Sequence, residues 1–374
     1  MSVANGMSDE FWMARALALA ALGRYSTAPN PRVGCVIVRA GQVVGEGWHR
    51  LAGEPHAEVH ALRQAGQAAR GATAYVTLEP CSHHGRTPPC ADALVAAGVA
   101  EVVAAMTDPN PLVAGRGLAR LAAAGIATRA GVLEAEARAL NAGFIQRMLT
   151  GRPFVRVKLA LSLDGRTAMA NGESQWITGP VARQSVQRLR AEAGVVITGA
   201  DTVLADGARL TVRQSELGLT GDDLELATLR TPQRLLVDGR GRVPLTAPFF
   251  QAGAARVAGM AAEAPAYALA GHDYLALPGA NGQVDLAALL TRLGSEQVND
   301  VLVEAGPRLA GAFAQAGLVD EYHLFLAPRF LGSSARPLLD WSLEHLAEAP
   351  QLTILSATAV GADLHLIARP VRDT

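Results

Sequence analysis

The chain has 374 residues, more than the roughly 250–300 at which a single hydrophobic core stops growing, so two domains are expected. It is 50% hydrophobic and 18% charged, with 33 basic against 34 acidic residues and a net charge of −1. That balance argues against a nucleic-acid binder, which draws most of its affinity from a basic excess or stripe.

Along the first 150 residues, apolar periodicity predicts a helix over Phe11–Gly23, paired strands over Val33–Val38 and Gln42–Trp48, and a helix over His56–Gly66. A strand over Thr73–Leu78, a helix over Pro89–Gly98, a strand over Glu101–Met106, a helix over Gly117–Ala124 and a strand over Ile126–Ala130 follow. A last helix, Glu134–Leu149, runs into Thr150-Gly151-Arg152-Pro153, a helix stop that sets the expected boundary. Beyond it the pattern restarts with strands over Phe154–Leu161, Val195–Thr198, Leu235–Asp238, Tyr274–Leu277, Val301–Glu304 and Tyr322–Ala327. Helices over Pro180–Ala193, Leu286–Leu293 and Arg308–Ala316 lie between them, and Gln214–Thr231 reads as a solvated loop. Both halves are therefore α/β, with helices covering a sheet.

No basic leader precedes Glu10, and the apolar run Ala14–Leu22 is interrupted by Arg15 and too short to span a bilayer, so neither export nor membrane insertion is expected. Three cysteines, an odd number, fit a reducing cytoplasm better than a disulfide framework.

Chemistry concentrates in His56-Ala57-Glu58, Pro80-Cys81 and Cys90. Two thiolates and an imidazole as ligands, with a carboxylate that is not one, are the inventory of a water-activating zinc site. Such a site uses three protein ligands, where a structural one uses four. Zinc deaminases carry H-x-E followed by P-C-x-x-C, with the Glu moving protons; here the second half is stretched from Cys81 to Cys90. His60, one helical turn after His56, is an alternative ligand, and a structural site would need His60 or His84 as a fourth. Cys35, inside an apolar strand, reads as a core residue. Asn30, Asp108 and Asn110 stand beside prolines and are turn-formers as readily as functional groups.

In the second half no G-x-G-x-x-G follows a strand, since Gly239-Arg240-Gly241 lacks the third glycine, so a Rossmann site is unsupported. Val303-Glu304-Ala305-Gly306-Pro307-Arg308-Leu309 reads as a buried strand turning through glycine into a helix, whose first N–H groups suit a pyrophosphate. Lys158 interrupts an apolar strand and should face a cleft and a partner, with Asp206 the candidate. Arg190 and Arg213 are either solvated surface or phosphate clamps.

Asn30-Pro31-Arg32-Val33-Gly34-Cys35, the His56/Glu58 pair, the Cys81–Cys90 stretch and Asp108-Pro109-Asn110-Pro111 occur in that order. They are followed by Lys158-Leu159-Ala160-Leu161-Ser162-Leu163-Asp164-Gly165, Ser174-Gln175-Trp176-Ile177-Thr178, Asp201-Thr202-Val203-Leu204-Ala205-Asp206 and Val303-Glu304-Ala305-Gly306. Over nearly its whole length the chain thus resembles the bifunctional deaminase/reductases of riboflavin biosynthesis.

The resemblance implies a cytidine-deaminase-like three-layer α/β/α domain over residues 1–150 and a dihydrofolate-reductase-like α/β domain over 151–374. It implies one Zn2+ per chain on His56, Cys81 and Cys90, with Glu58 as the proton shuttle. His83 and Arg86 would touch the substrate, and Asn30, Asp108 and Asn110 would hold its pyrimidine and ribose. NADPH would lie against Ala160, Trp176, Thr202, Asp206 and the run Gly306, Pro307, Arg308, Leu309, Ala310, Gly311 and Ala312. Lys158, Ser174, Arg190, Leu210, Arg213 and Glu304 would contact the second substrate. Many relatives carry Asp-Asp-Pro where this chain has Asp206-Gly207-Ala208. A phosphorylated pyrimidine as the small-molecule substrate, a cytoplasmic homo-oligomer (dimer or tetramer) and no nucleic-acid or membrane partner complete the expectation. The rival reading is a tRNA-type zinc deaminase with an appended domain, for which 5% aromatic residues leave little to stack on bases.

Overall fold

The computed structural model describes residues 7–82, 89–111, 113–260 and 264–372, which divide into two compact units, Met1–Gly151 and Arg152–Thr374. The first unit runs α1 (Asp9–Ala21), β1 (Gly34–Arg39), β2 (Gln42–Trp48), α2 (Ala57–Ala65), β3 (Thr73–Val76) and α3 (Cys90–Ala97). It continues with β4 (Glu101–Ala104), α4 (Arg116–Ala123), β5 (Ala127–Ala130), α5 (Glu134–Leu140) and α6 (Ala142–Thr150). The sheet order is β2-β1-β3-β4-β5, with β1 antiparallel to both neighbours and β3, β4 and β5 parallel.

Alternation along β1 distributes side chains to two faces. Val36 and Val38 pack with Trp12 and Met13 of α1, Ala137 of α5 and Ile145 of α6. Cys35 and Ile37 pack with Ala57 and Ala61 of α2, Leu94 of α3 and Leu121 of α4. This is the three-layer α/β/α arrangement, and each large apolar side chain so buried contributes about 1.5–3 kcal/mol.

The expected single helix over Glu134–Leu149 is two. It breaks at Asn141, whose backbone leaves helical geometry (φ −113, ψ 24). The Asn141 amide instead accepts from the Arg32 backbone N–H at 2.8 Å and donates to the Arg32 carbonyl at 2.9 Å. The apolar pattern continues across the break, so periodicity alone could not show it.

The second unit begins with β6 (Phe154–Ser162), β7 (Arg166–Ala168), α7 (Pro180–Glu192), β8 (Val195–Gly199), α8 (Ala200–Asp206) and α9 (Gly221–Thr228). Next come β9 (Gln233–Val237), α10 (Pro248–Gln251), β10 (Arg256–Gly259), α11 (Ala264–Leu269), β11 (Asp273–Ala276) and α12 (Leu286–Ser295). It ends with β12 (Asp300–Glu304), α13 (Pro307–Gln315), β13 (Glu321–Ala327), β14 (Arg336–Pro337), β15 (Leu352–Val360) and β16 (Asp363–Pro370). The main sheet is ordered β11-β10-β9-β8-β12-β6-β13-β16-β15. All strands from β11 to β13 run parallel, and β16 and β15 add antiparallel. Helices α12 and α13 cover one face through Leu289, Leu293, Ala310 and Phe313, and α8 and α10 cover the other through Ala200, Val203, Phe249 and Phe250. The unit is dihydrofolate-reductase-like, with strand ends open at the carboxyl edge, where ligands of such sheets bind.

Gln214–Thr231 is not all loop: it contains α9, seated by the buried Ala227, and before that helix the fully buried Leu217. Strand β10 and the β15–β16 hairpin are also absent from the sequence reading. β10 lies in an alanine- and glycine-rich stretch with few large apolar side chains to mark it, and β15 is largely exposed, so neither shows a clear alternation. Among the described residues no helix is long and apolar enough to cross a membrane.

Buried charge ties β6, β13 and β16 together. Glu321 accepts from His323 Nε2 at 2.9 Å, Arg156 Nε at 3.2 Å and Arg369 Nη2 at 3.0 Å. Burial raises the Glu321 carboxyl, but the His323 hydrogen bond and the Arg156 charge outweigh it and hold the group at about 2. A depressed carboxyl stabilises the fold above its unfolded value and loses that contribution as pH falls through the folded one. For Glu321 the contribution is roughly 3 kcal/mol at neutral pH, lost between about pH 4.5 and 2. Glu321→Gln should therefore flatten the pH dependence of urea stability of the second unit over that window; an unchanged slope would contradict the assignment.

Candidate active sites

In the first unit the metal donors come from two helix starts and one strand end. His56 is the N-cap of α2 and Cys90 the first residue of α3, while Cys81 lies just past β3. The three ligand atoms all lie within 4.8 Å of one another. His56 Nδ1 is 3.2 Å from Cys90 Sγ and 3.6 Å from Cys81 Sγ, and the Cys90 backbone N–H donates to Cys81 Sγ at 3.3 Å. The Cys81 thiol is pulled well below its ordinary value, first by its hydrogen bond with Cys90 and further by His56. The pair therefore favours a thiolate on one sulfur, and a bound dication would favour it on both.

Glu58 lies in the first turn of α2, 3% exposed, with its carboxyl raised by burial. Among the described residues its Oε2 has no hydrogen-bond partner. An orphaned, buried carboxylate oxygen beside two sulfurs and an imidazole fits an open zinc site, in which a fourth position and a proton acceptor are both needed. Close packing fixes α2 there. A Cβ on Gly45 would stand 2.2 Å from the Ala61 carbonyl and one on Gly47 2.4 Å from the Ala57 carbonyl, so β2 can meet the helix backbone only through glycine. Among the described residues His60 also carries a buried ring nitrogen without a partner, but it is not part of the cluster formed by His56, Cys81 and Cys90.

Around this cluster, Asn30 Nδ2 is 3.0 Å from His49 Nε2, and His49 Nδ1 is 3.2 Å from the Pro55 carbonyl. A carbonyl only accepts, so Nδ1 carries the proton and Nε2 accepts from Asn30. His49 was not singled out in the sequence; a lone buried histidine carries no pattern. Asp108 Oδ1 accepts from the Asn110 N–H at 2.8 Å, a turn-closing bond. His83 and Arg86 lie outside the described residues.

In the second unit Lys158 and Ala160 share one face of β6, and Lys158 stands opposite Glu304 across β12. Its ion-pair partner is Glu304, at 3.7 Å, and not Asp206 as expected from the sequence; Asp206 instead accepts from Ser174 Oγ at 2.9 Å. Burial lowers the Lys158 ammonium against the opposing pull of Glu304. Arg190 is no surface residue: its fork grips both Glu304 oxygens, with Nη2–Oε2 at 3.0 Å, and Nη1 donates to the Thr211 carbonyl at 3.0 Å. Arg213 is half exposed and pairs with Glu216 at 2.9 Å. Leu210 is buried in left-handed backbone (φ 54), a conformation that costs a leucine about 1–3 kcal/mol.

At the strand ends, Thr202 Oγ1 accepts from the Gly306 N–H at 3.0 Å, joining the β8–α8 turn to the β12–α13 turn. Gly306 caps α13 and Pro307 opens it, which leaves the N–H groups of Arg308 and Leu309 without intrahelical partners. Ala310 is buried in the core, and a Cβ on Gly311 would meet the Asp340 carbonyl at 3.1 Å. Trp176 is 56% exposed, with the Arg183 guanidinium 4.6 Å from its ring. The Asp206-Gly207-Ala208 departure has a local reason: Gly207 ends α8 in left-handed conformation (φ 57).

Residues 7–106 match the family model for the cytidine and deoxycytidylate deaminase zinc-binding region, and residues 153–366 that for the RibD C-terminal domain. Fold and site thus define a class in which a zinc-deaminase unit is joined to a RibD-type reductase unit. The riboflavin biosynthesis protein RibD of Escherichia coli strain K12 is 55% identical, covering 96% of this chain and 100% of its own. RibD of Acinetobacter baumannii superposes with a TM-score of 0.88 at 49% identity, over 97% of this chain and 99% of that one. The diaminohydroxyphosphoribosylaminopyrimidine deaminase/5-amino-6-(5-phosphoribosylamino)uracil reductase of Thermotoga maritima superposes at 0.84 with 32% identity, over 97% and 99%. The chain belongs to the RibD family of riboflavin biosynthesis proteins.

Proposed function

We propose that the chain carries out two steps of riboflavin biosynthesis. The first is hydrolytic deamination of 2,5-diamino-6-(5-phosphoribosylamino)pyrimidin-4(3H)-one; the second is NADPH-dependent reduction of the ribosyl group of the resulting uracil to ribityl. The observation that carries the reading is the unpartnered Glu58 oxygen beside the His56, Cys81 and Cys90 donors.

His56, Cys81 and Cys90 would hold zinc, which when bound lowers the pKa of a water to about 7. Glu58 takes one proton from the attacking water and gives it to the ring nitrogen, then takes the second from the resulting hydroxyl and gives it to the amine, which leaves as ammonia. Burial keeps that carboxyl out of bulk water and favours its protonated form midway through the transfer. Asn30, with its N–H committed to His49, offers its oxygen to the pyrimidine; Asp108 and Asn110 shape the turn beside it, and His83 and Arg86 complete the substrate contacts.

Residues 1–150 would form the deaminase domain and 151–374 the reductase. In the latter NADPH supplies the hydride. Ala160, Trp176, Thr202, Asp206 and the α13 start from Gly306 to Leu309 hold it, the pyrophosphate resting on the free N–H groups there, with Ala310, Gly311 and Ala312 backing the turn. Lys158, Ser174, Leu210 and Glu304 face the ribosyl group, Arg190 orients Glu304, and Arg213 takes the phosphate.

The test is to supply the diaminopyrimidinone with and without NADPH and identify products by mass. An amine-to-oxygen exchange alone is expected without NADPH, and the further gain of two hydrogens with it; unchanged substrate in both arms would refute the reading. Separate fragments cut at Gly151 should divide the two activities, and a folded C-terminal fragment that neither binds NADPH nor reduces would refute the domain assignment.

Replacing either sulfur tests the metal assignment. Cys81→Ser and Cys90→Ser should each lose about one equivalent of zinc, and His60→Ala should keep it. Stoichiometric zinc in both cysteine variants would sink the ligand set.

A cytoplasmic homo-oligomer completes the proposal. The outer strand β15 presents Leu352, Ile354 and Leu355 to solvent, 43%, 63% and 49% exposed, an uncovered sheet edge of the kind that pairs with a second chain. A single monomeric species in sedimentation velocity would contradict it.

A further inference from the structure

Glu79, one residue before Pro80-Cys81, is 3% exposed and takes part in none of the chemistry above. Its two carboxylate oxygens accept four backbone hydrogen bonds. Oε2 takes the N–H groups of Asp108 (3.1 Å) and Gly115 (2.9 Å), and Oε1 those of Gly117 (2.8 Å) and Leu118 (3.2 Å). The first two stand at the two ends of the turn that carries Asn110. The last two belong to the first turn of α4, whose N-cap is Gly115 and so has no side chain to cap with. The buried charge is thus met by four aimed dipoles and the positive end of a helix.

A second contact holds the same two segments together. A Cβ on Gly117 would lie 1.9 Å from the Pro80 carbonyl oxygen, so α4 starts in direct backbone contact with the residue before Cys81. The segment bearing the metal donor and the turn bearing Asp108 and Asn110 are therefore joined through one carboxylate.

We infer that Glu79 is a positioning residue for deamination: it sets the Asp108–Asn110 turn in register with the Cys81 segment, and so fixes where the pyrimidine nucleotide sits relative to the zinc donors. This rests on the deaminase reading proposed above. A glutamine at this position keeps the size and one acceptor oxygen, but turns an N–H2 group toward two backbone N–H donors that then lack a partner.

The experiment measures zinc content, deamination KM and kcat, and reduction of pre-deaminated substrate in Glu79→Gln beside the wild-type protein. The expected result is a KM raised about tenfold or more with kcat within about threefold, zinc retained and reduction unchanged. An unchanged KM, or loss of zinc, would overturn the inference, the latter because the carboxylate would then support the metal donors and not the substrate turn. If Glu79→Gln is not recovered folded, Glu79→Asp, which keeps the charge but withdraws it by one methylene from the four N–H groups, should raise KM with zinc retained; an unchanged KM there overturns it equally. Wild-type protein that binds zinc and does not deaminate would refute the deaminase reading, and this inference with it.

Discussion

Glu58→Gln is expected to keep its zinc and lose deamination by about 10²- to 10⁴-fold, the range assigned to a positioned general acid–base group. Reduction of pre-deaminated substrate should continue at the wild-type rate. The substitution is close to isosteric in a site where Glu58 is 3% exposed and held by α2 against the glycines of β2, so the donors should stay in place. What disappears is the capacity to take up and release a proton. The measurement is ammonia release together with metal analysis on the same sample. A variant that deaminates at a near wild-type rate would remove Glu58 from the mechanism.

Glu304→Ala should have the largest effect on the second unit. Glu304 is 7% exposed, its ordinary value raised by burial but pulled down more strongly by Arg190 and Lys158. Removing it leaves the Arg190 guanidinium and the Lys158 ammonium facing each other without the carboxylate that joins them. Breaking a buried pair from one side typically costs about 3–5 kcal/mol, because the remaining charge stays desolvated. The expected results are loss of reduction, a lowered urea midpoint for the second unit, and deamination intact. A stability loss below about 1 kcal/mol would mean that Lys158 and Arg190 find water or other acceptors instead.

How much could be read in advance differs between the two sites for a physical reason. His56, Glu58, Cys81 and Cys90 fall at strand ends and helix starts that the apolar pattern already marks, and a thiolate–imidazole set has few other uses in such an arrangement. In the second unit, Lys158, Arg190 and Glu304 come from β6, α7 and β12, and nothing local to any of them names the others. The sequence could say that Lys158 needs a partner, since an unpaired buried ammonium is costly; only the parallel register of β6 and β12 shows that the partner is Glu304 and not Asp206.

The same division runs through the whole molecule. Residue order by itself determined what is periodic or chemically singular: the alternating strands of an α/β chain, the H-x-E and P-C pattern, and the motifs that place the chain in its family. The tertiary structure decided what depends on groups far apart in the chain. Asn141 ends a helix because its amide is matched by Arg32, His49 orients Asn30 because its Nδ1–H is bonded to the Pro55 carbonyl, and Glu79 joins two segments through four backbone N–H groups. Apolar burial repeats with the period of the element and is written locally, whereas a buried polar atom must find a partner wherever the fold supplies one, and that partner leaves no mark in the neighbouring sequence.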